Sequence, residues 1–303
     1  METDRTRYLI PLSLFLAVLI VGIGWIYHEG RRTLPSQEVA TVISTFLPAE
    51  GVMLPARIED IGPRLIAAGV IDGEKFEALY STRGGLAPGE KALLYGGNEA
   101  PLRINAQNAP VLLNFFWAFG LANKNPILEE GPMADPRPQA PERSDGGQAR
   151  YGGAARFAST GGWTLAKGDA MDHYSAHSFI TLTKEQQELV ERVSKNIYRP
   201  CCGNATYFPD CNHGMAMLGL LELMAAQGAD EAAMYRAALA VNSYWFPDQY
   251  RTIAAYLKER GTTWEEADPK TLLGYDFSSG EGFQRILAAT KPVEKQGGGG
   301  CGV

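Results

Sequence analysis

The sequence lacks a surplus of basic residues, since 28 Lys and Arg face 34 Asp and Glu and give a net charge of -6. A nucleic-acid binder needs a basic surface to neutralise phosphates, so no nucleic-acid partner is expected. The motifs G-x-S-x-G and H-E-x-x-H and a phosphate-binding loop are also missing, which disfavours a hydrolase. Four cysteines are too few for a disulfide-dense scaffold, and a chain of 303 residues can bury a core without them.

Long apolar runs are equally scarce. Residues 8–27 are twenty positions without a charge, which matches the roughly 30 Å hydrocarbon core of a bilayer as a helix. The alternative, a cleaved signal peptide, has a shorter apolar stretch that ends in a small-x-small site. Because the following GWIYHEGRR offers no such site, the sequence predicts an N-terminal membrane anchor over 1–32. We expect the rest of the chain to lie outside the cytoplasm.

Hydrophobic periodicity elsewhere predicts a mainly α protein. The expected fold is an N-terminal transmembrane helix followed by two helical regions, the second a small helical bundle with a Cys-rich loop. The corresponding segments are a helical region over 33–133, a linker or loop over 134–160, a Cys/His-containing helical domain over 161–290 and a flexible Gly-rich tail over 291–303. The apolar run APVLLNFFWAFGLANK is short enough to be a buried core helix.

Three of the four cysteines lie within eleven residues and are followed by a histidine, in a C-C-x8-C-x-H pattern. Asp210 is a plausible N-cap, which puts the last two of these residues in the first turn of a helix, where the dipole favours a thiolate. Thiolate and imidazole form a soft ligand set that suits copper or zinc. The predicted metal ligands are Cys201, Cys202, Cys211 and His213.

A structural disulfide is the main alternative for these cysteines. Cys211 can pair with Cys201 or Cys202 and close the loop in an oxidising compartment. A disulfide between the adjacent Cys201 and Cys202 closes a strained ring, so the pattern favours these two residues as metal ligands over a bridge between them. Two methionines in the following helix, Met215 and Met217, are either further soft ligands or ordinary core residues.

Two further features have open interpretations. His173 and His177 have the i,i+4 spacing that aligns two rings on a helix, as in a ligand site, but they also fit a pair of surface histidines. Cys301 follows four glycines and predicts a mobile carrier thiol for metal or sulfur, with an incidental exposed thiol or an intermolecular disulfide as the alternatives.

Residues 195–246 resemble the helical thiol domain of cytochrome c maturation proteins of the CcmH and NrfF type. The likeness rests on a cysteine motif after one helix, a polar turn at Asp210-Cys211-Asn212 and an acidic cap at Asp230. The layout is also similar to that of PCYCGC-motif proteins. The resemblance implies thiol–disulfide exchange with Cys201 and Cys202 as catalytic residues, although those maturation proteins carry Cys-x-x-Cys where this chain has adjacent cysteines.

The tail, Gly299 to Gly302, is similar to the Gly-Gly-Cys-Gly arm of the sulfur carrier SoxY. We therefore expect a membrane-anchored, extracytoplasmic protein with a Cys/His metal site. The alternatives are a thiol–disulfide oxidoreductase, a sulfur or metal carrier that serves a periplasmic metalloprotein or thiol protein, and a non-catalytic structural protein with a disulfide. Whether the chain is an enzyme is left open.

Overall fold

The computed structural model describes residues 47–96, 100–134 and 153–290, which form a mainly helical protein with one short β-ladder. The strands are β1 (Val52–Met53) and β2 (Arg103–Ile104). The helices are α1 (Ile61–Ala67), α2 (Gly73–Ser81), α3 (Pro88–Tyr95), α4 (Ala109–Ala122), α5 (Pro126–Glu130), α6 (Lys184–Ser194), α7 (Asn212–Ala226), α8 (Glu231–Trp245), α9 (Pro247–Glu259), α10 (Pro269–Leu273), α11 (Tyr275–Ser278) and α12 (Gly280–Ala289).

Helices α4 and α7 form the centre of the molecule and pack on each other more extensively than any other pair. Their backbones touch at Gly120 and Gly219, where a Cβ on Gly120 would lie 2.2 Å from the carbonyl oxygen of Met215. Only glycine permits this approach. Because both helices are buried along almost their whole length, the crossing fixes α7 and therefore the residues at its N-terminus. The predicted buried core helix is thus confirmed as α4.

The expected fold class is wrong in its membrane part. No helix within 47–96, 100–134 and 153–290 is both long and apolar enough to cross a bilayer. The span predicted at residues 8–27 lies outside the described residues. Helix α4 of the first expected helical region and α7 of the second share one hydrophobic core. Sequence periodicity shows that a helix has an apolar face, but it does not show which helix covers that face.

The remaining local signals have mixed outcomes. Thr183 and Gln186, which stand three residues apart as a capping box requires, form one at the start of α6, and Asp230 caps α8 as predicted. The antiparallel pairing of β1 with β2, in which Val52 lies opposite Ile104, was not predicted from the sequence. Part of the expected linker is well packed. Ser159 is buried, and its backbone carbonyl accepts a hydrogen bond from the indole N–H of Trp117 at 2.6 Å. Residues 135–152 of that linker lie outside the described residues.

Candidate metal centre

The loop between α6 and α7 is held in place by backbone hydrogen bonds from several directions. The amide of Thr206 donates to the carbonyl of Ile197 at 2.8 Å, and the amide of Ser159 donates to the carbonyl of Asp210 at 3.2 Å. At the start of α12, the amide of Gly280 donates to the carbonyl of Cys202 at 2.8 Å. The loop that carries the cysteines is therefore fixed to the core.

Cys211, and not Asp210, is the N-cap of α7. Its sulfur accepts a hydrogen bond from the amide of Gly214 at 3.4 Å. The Asp210 carboxylate is engaged elsewhere, because it accepts from Arg199 at 3.2 Å and from the Asn204 amide at 2.8 Å. This correction matters, since it places the sulfur at the positive end of the helix dipole.

Three sulfurs gather around this cap. The Sγ atoms of Cys201 and Cys202 each lie 3.8 Å from Sγ of Cys211. These separations far exceed the roughly 2.05 Å of a disulfide bond, and all three cysteines are free thiols here. Two thiolates on a tetrahedral zinc, each about 2.3 Å from the ion, lie about 3.8 Å apart. The sulfur spacing therefore suits a shared metal ion.

His213 lies one residue inside α7 and is almost fully buried. Its ring packs against Phe246 and Trp245, with centroid distances of 4.4 and 5.7 Å. Its Nδ1 has no hydrogen-bond partner among the described residues. Buried polar atoms are nearly always paired, so this nitrogen indicates a partner that the described residues do not supply.

Arg199 places a positive charge against the central sulfur although its side chain is completely buried. Its Nη2 donates to Sγ of Cys211 at 3.3 Å and to the carboxylate of Asp210 at 3.2 Å. Room for the guanidinium comes from Gly214, where a Cβ would lie 2.6 Å from Nη2. Within the described chain, its Nε and Nη1 have no acceptor.

These contacts shift the pKa values of Cys202 and Cys211 in opposite directions. Hydrogen bonds from Cys201 and Cys202, with the charge of Arg199, hold the pKa of Cys211 well below its usual range. A hydrogen bond from Cys201 opposes the rise in the Cys202 pKa, but the hydrogen bond to Cys211 and burial outweigh it, and the pKa of Cys202 is raised. Burial also raises the pKa of Asp210. Cys211 therefore ionises more easily than Cys202.

The candidate ligand atoms fall into two sets that share Cys211. Cys201, Cys211 and His213 offer ligand atoms within 4.8 Å of one another, and so do Cys202, Asp210 and Cys211. The first set could hold a metal ion. The structure therefore brings all four predicted ligand residues to one place, but it puts Cys202 beside Asp210 and not in the set that contains His213.

His173 and His177 meet without a helix. Their Nδ1 and Nε2 atoms lie 3.1 Å apart, and the rings stack with a centroid distance of 5.3 Å. His173 is buried and follows a short 3₁₀ helix at Ala170–Asp172, and His177 forms an isolated parallel β-bridge with Asn123. Burial and the neighbouring His173 lower the pKa of His177. Within the described part of the chain no third ligand group joins the two rings, so the pair does not make up a metal site by itself.

A second buried polar cluster on α7 has no signal in the sequence. Glu222 is fully buried, and its two carboxylate oxygens accept from the amides of Asn123 at 2.7 Å and Asn125 at 2.6 Å. Burial raises the pKa of Glu222 to about 8. The asparagines lie almost a hundred residues away along the chain, so no local pattern could reveal the contact.

The predicted carrier thiol, Cys301, lies outside the described residues. Met215 and Met217 are both fully buried in the core.

Comparison with known proteins assigns the chain to no group, since no protein-family model, no curated protein and no solved structure matches it.

Proposed function

We propose that the protein binds one soft d¹⁰ metal ion, zinc or copper(I), through Cys201, Cys211 and His213. The observation that supports this most directly is the buried Nδ1 of His213, which lacks a partner among the described residues. A ring nitrogen of this histidine lies within 4.8 Å of the sulfurs of Cys201 and Cys211. A metal ion supplies the missing partner. Soft thiolate and imidazole ligands favour zinc or copper over magnesium or calcium.

Charge supports the same proposal. Two thiolates and a neutral imidazole balance a divalent ion, and the Arg199–Asp210 ion pair beside them adds no net charge. Buried charges are stable only when they are paired or coordinate a metal. A copper(I) ion would leave one net negative charge next to Arg199, which still offers N–H groups that find no acceptor in the described ranges. Both ions are therefore compatible with the site.

The accessibility of the ligands indicates exchange and not permanent storage. Cys201 is exposed, Cys211 is half-buried and His213 is buried. Three protein ligands leave a position open on a tetrahedral ion, as in zinc sites that bind further ligands. An incoming partner ligand would therefore meet the ion from the side of Cys201.

The test is metal analysis of the full chain, purified anaerobically in the presence of a reductant. We expect one zinc or copper per chain in the wild type and in Cys202→Ser, which serves as the matched control. Cys201→Ser, Cys211→Ser and His213→Gln should each lower the affinity at least tenfold, as measured by competition with a chromophoric chelator. A metal-free wild type, or equal loss in the control, would overturn the three-ligand site.

Thiol–disulfide exchange is the second candidate, and the 3.8 Å contacts of Cys211 with two other thiols favour it. Cys211 then takes the role of attacking thiol, which the resemblance to the maturation proteins implied for Cys201 and Cys202. Reduction of a small disulfide substrate by the metal-free protein tests this candidate. Activity that survives Cys211→Ser but not Cys201→Ser would contradict that role for Cys211.

A further inference from the structure

Cys202 has no place in the proposed three-ligand site, yet it is held beside it. Its Sγ lies 3.8 Å from Sγ of Cys211. Its amide donates to the carbonyl of Arg199 at 3.2 Å, and its carbonyl accepts from Gly280 at 2.8 Å. The backbone thus fixes a half-buried thiol next to the central sulfur, an arrangement that metal binding by the other three residues does not require.

The surroundings of Cys211 favour negative charge on its sulfur. The sulfur caps the fifteen-residue helix α7 and accepts from the amide of Gly214 and from Nη2 of Arg199. A thiolate in such an electropositive setting is the nucleophilic form of cysteine. The same contacts that favour a metal ligand therefore also favour attack on an electrophile.

Arg199 retains hydrogen-bonding capacity beside this sulfur. Its Nε and Nη1 find no acceptor in the described part of the chain, although the side chain is fully buried. Preorganised donors next to a nucleophile stabilise an anion that leaves during the reaction. Hydroperoxides release such an oxygen anion, and hydrogen peroxide is small enough to reach a half-buried sulfur.

We propose that the reduced, metal-free protein reduces hydroperoxides, with Cys211 as the attacking thiolate and Cys202 as the thiol that closes the disulfide. The Cys211 thiolate attacks the terminal oxygen of R–O–OH, the O–O bond breaks, and the departing RO⁻ takes a proton from water to give ROH. Cys211 becomes a sulfenic acid. The Cys202 thiol then attacks that sulfur, the S–O bond breaks, and a disulfide and water form.

The two sulfurs supply the two electrons that the peroxide gains. A small dithiol returns the disulfide to the thiols and is itself oxidised to a disulfide. The short distance between Cys202 and Cys211 means that the second step needs only a local side-chain movement. Overoxidation of the sulfenic acid to a sulfinic acid competes with this step, so Cys202 also protects Cys211.

This activity goes beyond metal binding and does not depend on it. Because Cys211 belongs to both sites, a bound ion blocks the sulfur, and a Cys202–Cys211 disulfide removes one of the three proposed ligands. All peroxide measurements therefore use the full chain after metal removal, while metal content is measured on reduced protein. Failure of one proposal leaves the other measurable.

The experiment adds one equivalent of hydrogen peroxide to the reduced, metal-free chain in a Cys301→Ser background, in which the other three cysteines are present. We expect consumption at least tenfold faster than by free cysteine, loss of two thiols and a Cys202–Cys211 disulfide in the peptide map. The matched variants are Gly203→Ala, which should keep the rate and the disulfide because a Cβ there meets no described atom within 4 Å, and Arg199→Met, which should slow peroxide consumption at least tenfold.

A Cys201→Ser/Cys202→Ser variant retains the attacking Cys211 but has no resolving thiol. In it we expect sulfenic acid at Cys211, trapped by dimedone, and then a sulfinic acid on further peroxide. If the parent chain consumes hydrogen peroxide no faster than free cysteine does, the proposed activity is overturned. A Cys201–Cys211 disulfide as the main product of the parent chain would overturn the role of Cys202.

Discussion

Helix α7 carries two buried polar clusters that differ in how completely their atoms are paired. Near its N-terminus, Arg199 and His213 have nitrogens without hydrogen-bond partners among the described residues. Further along the helix, both carboxylate oxygens of Glu222 accept hydrogen bonds from asparagine amides. The two clusters share one helix and one core, so the difference does not arise from burial.

This difference distinguishes buried polar groups that stabilise the fold from buried polar groups that serve a function. A buried polar group without a partner costs about 1–3 kcal/mol, and a fold has no reason to retain several of them together. The Glu222 cluster connects α7 to the chain that follows α4 and leaves no ligand atom open. The N-terminal cluster leaves donors, an imidazole nitrogen and thiols available to a partner that is not among the described residues. We infer that function resides in the N-terminal cluster and stability in the Glu222 cluster.

The largest expected effect is on stability, at Glu222. Replacing Glu222 with Ala leaves the side-chain amides of Asn123 and Asn125 buried without acceptors and opens a cavity. We expect a loss of about 3 kcal/mol in the free energy of unfolding of the metal-free chain. Urea unfolding at pH 5 measures it.

His213→Gln is the matched variant for that comparison, since it removes an atom that lacks a partner among the described residues. We expect it to cost about 1 kcal/mol or less without metal, but to abolish the stabilisation that added zinc gives to the wild type. Equal losses in both metal-free variants would break the distinction between the clusters.

The second prediction concerns pH and again tests Glu222. Its pKa is about 8 in the fold, against 4.5 for the ordinary group. Because the folded state holds the proton more tightly, the contribution of Glu222 to stability is complete below about pH 4.5 and is lost as pH rises towards 8. Glu222→Gln should remove a fall on the order of a few kcal/mol from the stability profile between pH 5 and 8. An unchanged slope would show that Glu222 is already ionised at pH 5.

The sequence was sufficient for features that depend on neighbouring residues. The caps at Thr183 and Asp230, the buried helix α4 and the gathering of cysteines near His213 all follow from spacing within one segment. Features that depend on distant partners could not be predicted in this way. Asp210 seemed to be the N-cap because aspartate commonly takes that role. In the fold, Arg199 engages the carboxylate and leaves the cap to a sulfur.

The third prediction concerns the electrostatic effect of Arg199 on the sulfur. In the metal-free wild type, iodoacetamide should alkylate Cys211 with a pH midpoint well below the roughly 8.5 of an ordinary thiol. Arg199→Met removes the positive charge 3.3 Å from the sulfur and should slow alkylation at pH 7 about tenfold. Peptide mapping separates Cys211 from the other cysteines. If the rate does not change, the contacts from the neighbouring thiols alone account for the low pKa.

The smallest change that still reaches the site is one methyl group at Gly214. A Cβ there lies 2.6 Å from Nη2 of Arg199, 2.8 Å from Cζ and 3.1 Å from Cα of Pro209, so its closest clash is with the guanidinium and Gly214→Ala should displace that group from the sulfur. Gly203→Ala is the control, since a Cβ at that loop position has no neighbour within 4 Å among the described atoms.

We expect Gly214→Ala to weaken zinc binding and slow Cys211 alkylation about threefold, and Gly203→Ala to change neither. Alanine favours helix by up to about 1 kcal/mol over glycine, so a general loss of helix would not explain such a result. Weaker binding without loss of helix therefore assigns the effect to the guanidinium. Equal behaviour of the two alanine variants would show instead that the position of Arg199 does not control the sulfur.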